Sequence, residues 1–70
     1  MNVRLLKAAM VISGKTAADM QEEIGIGKSA WHRKLNGTSQ FNLEEIRKIR
    51  TVLSLTDRQT CEIFFDRKVS

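Results

Sequence analysis

Seventy residues make room for one domain, and a chain this short stays marginally stable unless it associates. A single cysteine rules out an internal disulfide, one Cys with one His falls short of the roughly four ligands of a zinc site, and no apolar run nears the ~20 residues of a membrane span. The formal charge of +4 suits a polyanionic partner without specifying one, and with no apolar leader at the N-terminus the composition predicts a protein of the cytoplasm.

Apolar residues recur at three- and four-residue spacing, so the chain reads as an all-α, compact bundle of about five helices, a single domain over residues 1–70. The first helix runs from about Val3 to Ile12 with Leu6, Ala9 and Met10 on one face, Leu5 and Ile12 flanking it, and Gly14 as its stop. Thr16 caps a second helix, with Asp19 three residues on, where an acid favours the exposed N–H groups. Met20 and Ile24 share its inner face, Gly25 ends it, and Ile26 turns into the core. A third helix begins at Lys28 behind Gly27 and runs to about Leu35, where Asn36-Gly37 closes it.

Trp31 and Leu35 point inward at i, i+4, which leaves Lys28, Ser29, His32 and Arg33 outward. Thr38 to Phe41 reads as a loop anchored by Phe41. Asn42 with Glu45 is a capping-box pattern, so a fourth helix starts near Leu43 with the stripe Leu43, Ile46, Ile49 and Leu53. Thr56 with Gln59 repeats the signal and opens a short fifth helix through about Phe65. Its Ile63, Phe64 and Phe65 exceed one narrow stripe, and Asp66 to Ser70 reads as a frayed tail.

Charge divides the second and third helices. Thr16 to Gly27 carries only acids (Asp19, Glu22, Glu23), while Lys28 to Gly37 carries the bases Lys28, Arg33 and Lys34 beside His32. Two helices joined by a short glycine-containing turn, the second basic and polar on its outer face, describe a helix-turn-helix over about residues 16–36. The bland alternative is an ordinary helical hairpin.

At this point the chain resembles a family. Gly14, Thr16, Met20, Ile24-Gly25-Ile26, KSAWHRKLNG from Lys28 to Gly37 and FNLEEIRKI from Phe41 to Ile49 are similar to the phage repressor and Cro-type helix-turn-helix domains. The likeness covers about Leu6 to Phe64 and implies a lambda repressor-like five-helix fold, frequent dimerisation and double-stranded operator DNA as partner. It implies that the 28–36 helix enters the major groove, where Lys28, Ser29, Ala30, His32 and Arg33 read bases. Phosphates would meet Thr16, Lys34, and Asn36 with the amides of Gly37 and Thr38. The implied setting is the cytoplasm of a bacterial host.

Three positions depart from the family pattern. Ala17 stands where many members have Gln, Gln21 where a small Ala lets the helices cross, and Gly27 where Ser is usual. Gln21 must tilt outward or part the helices. These losses keep open a second reading, an antirepressor of the same fold that binds a partner repressor protein. Its interface would draw on Asp19, Glu22 and Glu23, with Phe64 and Phe65. Phe64 or Phe65 equally suits a two-fold homodimer interface.

Catalysis finds no support in the sequence. His32 lacks an acid or nucleophile at a convincing spacing, and Cys61 beside apolar residues reads as a packed thiol. The expectation is a non-enzyme with no metal and no cofactor.

Overall fold

The computed structural model describes residues 1–65, and the tail expected at 66–70 lies outside them. Helices α1 (Val3–Ser13), α2 (Ala17–Ile24), α3 (Lys28–Leu35), α4 (Leu43–Val52) and α5 (Asp57–Thr60) follow in order, and α5 runs on into a π-helical turn, Cys61–Phe65. The described residues are all-helical, as the apolar spacing predicts.

Each start has a chemical cause. Asn2 Oδ1 accepts the Leu5 N–H at 3.1 Å at the head of α1. The capping boxes expected at Thr16/Asp19, Asn42/Glu45 and Thr56/Gln59 are all formed. In each, the cap oxygen accepts an amide of the first turn while the third side chain accepts the amide of the cap.

Four ends share another device. One residue past α1 and α2, and two past α3 and α4, the backbone turns left-handed and the next amide returns to the helix: Lys15 to the Met10 carbonyl, Ile26 to Gln21, Thr38 to Arg33, Leu55 to Arg50. Gly14, Gly25 and Gly37 hold that position at φ +70°, +82° and +83°. Ser54 holds it at φ +52°, where a Cβ costs about 1 kcal/mol.

Leu6, Met20, Trp31 and Ile49, one from each of the first four helices, form the fully buried centre. Met10, Ile24, Leu53, Leu55 and Ile63 surround them, and Ala9, Ala17, Ile26, Leu35, Phe41, Val52 and Phe64 pack against that core from its margin. Helix α2 lies against both α3 and α4, and α1 lies against the π turn. The Asn2 N–H donates to the Ile63 carbonyl at 2.6 Å, which ties the start of the chain to the last described turn.

Three expected positions differ. Leu43 is 58% exposed, because two successive three-residue steps rotate about 120° around a helix and carry it off the Ile46–Ile49–Leu53 stripe. Ile12 is 86% exposed, two residues and about 200° beyond the buried Met10. Cys61 is exposed rather than packed, since Thr60 takes the inward place and donates its hydroxyl to the Thr56 carbonyl at 2.8 Å. No described helix is long and apolar enough to cross a membrane.

Candidate nucleic-acid interface

Helix α3 is held from beneath by aromatic packing. Trp31, 1% exposed, meets the Phe41 ring edge-on at 5.7 Å, and Phe41 meets Phe64 in the same way at 5.9 Å. Such pairs contribute about 0.5–1.5 kcal/mol each beyond the area they bury. The expected anchoring of the 38–41 loop by Phe41 is thereby met.

A charged clamp holds the far end of α3. Lys34 Nζ lies 3.0 Å from Glu45 Oε1, donates to the Gln40 carbonyl at 3.0 Å and stands 5.6 Å from the centre of the Phe41 ring. The Lys34 and Glu45 side chains are 13% and 12% exposed. Burial alone raises the Glu45 carboxyl, but the Asn42 N–H and the Lys34 ammonium outweigh it and hold the group below its ordinary value. Lys34 therefore spends its charge inside the protein. It departs from the phosphate contact expected of it.

The end of α2, just before the turn into α3, is tied to α4. Lys48 of α4 donates from Nζ to the Ile24 carbonyl at 3.3 Å, at the last residue of α2. Sequence reasoning missed this cap because it joins residues 24 apart, a spacing no local pattern encodes. The three-residue turn Gly25–Gly27 is bracketed by that contact and by the Ile26 N–H, which donates to the Gln21 carbonyl at 3.1 Å. Gln21 is half-buried and α2 still meets α3, while Ala17 packs against the core. Gly27 leaves α3 without a side-chain cap.

What remains outside is one arc of α3. At about 100° per residue Lys28, His32 and Asn36 form one row and Ser29 with Arg33 the next, and all five are exposed. Neither Lys28 nor Arg33 forms an ion pair among the described residues. His32 Nδ1 lies 3.0 Å from the Lys28 carbonyl. A carbonyl only accepts, so the ring donates from Nδ1 and, when neutral, presents Nε2 as an acceptor. Ala30 lies at the margin of the arc and is half-buried, off the outward row expected of a base reader.

The remaining expected site residues divide. Thr16 is exposed at the head of α2, its oxygen accepting the Asp19 N–H at 3.2 Å while its hydroxyl proton stays available. The Gly37 and Thr38 amides return to the Lys34 and Arg33 carbonyls at 3.4 and 3.0 Å, so they close α3 instead of facing outward; Thr38 keeps an exposed side chain. Asp19 accepts the Thr16 N–H at 2.9 Å, and this bond holds its carboxyl below the ordinary value, whereas Glu22 and Glu23 are exposed. Phe64 is half-buried against Phe41, and Phe65 is 49% exposed. Phe64 and Phe65, with Met1 and Val3, line a cleft of about 520 Å³ that reaches Asn36 and Gly37 at the end of α3.

An all-helical bundle whose second and third helices are joined by a three-residue turn defines the class. A family model described as the BetR domain matches residues 2–63, and the chain belongs to that family. No significant match is found among curated proteins or among solved structures.

Proposed function

We propose that this protein is a sequence-specific DNA-binding transcriptional regulator of the phage repressor/Cro type, acting in the cytoplasm of a bacterial host. Helix α3 enters the major groove of operator DNA, and occupancy of the site blocks or redirects a promoter. The supporting observation is the exposed arc of Lys28, Ser29, His32, Arg33 and Asn36 on a helix whose last turn is tied to α4 by Lys34 and Glu45. Lys28 and Arg33 donate to guanine edges or phosphates, and Ser29 and His32 pair with several base edges. Thr16 at the head of α2 offers its hydroxyl to a phosphate. A second copy on the neighbouring half-site, about one helical turn away, would meet the first across the cleft beside Phe65.

Selection of bound DNA from a random pool tests the reading, with Lys28→Ala/Arg33→Ala as the control. A motif enriched by the natural chain and lost in the double variant supports it. No enrichment sinks it and favours the second reading, in which the same fold binds a partner repressor through Glu22, Glu23 and Phe65. That reading draws on the exposure of all three. Its mark is a regulatory activity that survives loss of Lys28 and Arg33 and fails with Glu22→Lys/Glu23→Lys.

A further inference from the structure

At its outer edge helix α1 carries apolar groups beyond the core and away from the candidate DNA interface. Leu5 is 39% exposed and Ile12 86% exposed, with Ala8 between them on the outer side. Leu55 and Ile63 continue that face into a groove of about 170 Å³. Along the helix the order is large, small, small, large: Leu5, Ala8, Ala9, Ile12. That order is symmetric about the midpoint between Ala8 and Ala9. A second α1 laid antiparallel across the first sets Leu5 against the other copy's Ile12 and the two alanine pairs against each other. Small residues at the crossing let the backbones approach, and the large ones close both ends.

Charge points to the same partner and the same direction. Helix α1 has no acid in its first turn and no base in its last, so neither end of its dipole is compensated from within. Antiparallel pairing brings Arg4, exposed near the start of α1, beside Ser13 at the electronegative end of the other copy's helix. Lys7 projects away from the contact, and Glu62, which lines the groove with Gln59, is paired with Arg58 at 3.1 Å.

We propose that the outer face of α1 is a self-association surface on which a second copy of this chain docks with its α1 antiparallel. The contact is isologous, since each copy gives Leu5 and receives against Ile12. It is independent of the DNA reading and distinct from the cleft beside Phe65. An 11-residue helix is about 16 Å long. Its face is smaller than the ~800 Å² per partner of a standard interface. Association is therefore weak in dilute solution and strengthens when two copies are held close together.

Sedimentation velocity of the natural chain without DNA, over a concentration series reaching the millimolar range, tests this beside Ile12→Lys and Phe65→Ser. Ile12→Lys puts a base where Arg4 of the second copy must lie, while supplying the base that the last turn of α1 lacks. The expected result is a concentration-dependent dimer in the natural chain and in Phe65→Ser. In Ile12→Lys the midpoint moves up by about tenfold or more, with an unchanged or higher melting temperature. A natural chain that stays monomeric throughout overturns the proposal and leaves the face to some other protein. A dimer that persists in Ile12→Lys, or that Phe65→Ser abolishes, also overturns it.

Discussion

The Lys34 ammonium and the Glu45 carboxylate meet at 3.0 Å, joining the last turn of α3 to the first turn of α4 across the loop between them. Glu45 thus serves two masters, the amide of its own cap residue and the helix that carries the exposed arc. A change at this pair alters how firmly α3 is held without touching any outward side chain.

The pair has a pH signature. Held below its ordinary value when folded, the Glu45 carboxylate contributes stability that is fully present above the ordinary glutamate value of the unfolded chain. That contribution is lost as pH falls through the lower folded value. Glu45→Gln keeps the capping geometry and removes the charge, so it should cost about 1 kcal/mol at neutral pH. The cost should shrink towards zero in acid. Urea melts of both proteins between pH 2 and 7 (roughly the span over which carboxylates titrate) measure the converging curves.

Lys48→Met should remove the cap on the Ile24 carbonyl while keeping an aliphatic chain of similar length. The expected cost is about 0.5–1 kcal/mol, and amide exchange across Gly25 to Lys28 should quicken more than in α1. Equal acceleration throughout the chain would show that the contact steadies the whole bundle instead of the turn.

Ser54→Gly should stabilise the protein. Position 54 is left-handed at φ +52°, and glycine removes the Cβ clash while giving back part of the gain as unfolded-state entropy. A net gain of about 0.5 kcal/mol raises the melting temperature by roughly 2–4 °C in a domain of this size. A calorimetric scan showing a lower temperature would refute it.

Lys28→Ala and Arg33→Ala should each weaken binding to the selected DNA. A lost phosphate contact lowers the salt slope by about 1, and a lost guanine contact costs about 1–3 kcal/mol and relaxes one base position. Lys34→Met should lower stability and leave the slope unchanged, because its ammonium is already committed to Glu45 and Gln40. Fluorescence anisotropy at several salt concentrations separates these outcomes.

The parts of the fold encoded within four residues were legible in the chain. Asn42 with Glu45, Thr56 with Gln59, and Asn36-Gly37 after Leu35 state their local geometry by residue type alone. The outward row of α3 followed from the inward pull of Trp31 and Leu35 by helical period. What depends on partners far along the chain was not legible. Lys34 reads from sequence as a phosphate contact because its partner Glu45 lies 11 residues on, and the Lys48 contact with Ile24 has no local signal. Thr60 carries no apolar signal in the sequence, yet a threonine that gives its proton to a carbonyl one turn back packs as an apolar residue. Its inward place decided the outward one of Cys61.

Trp31 carries one more consequence. It is the chain's sole tryptophan and there is no tyrosine, so emission excited near 295 nm (roughly where indole alone absorbs) comes from one side chain at the inner face of α3. Because the ring is covered by Phe41 and points away from the exposed arc, its spectrum reports whether the bundle is closed. Ligands bound to the outer face of α3 should leave it nearly silent, which gives the molecule a built-in folding gauge uncoupled from its contacts.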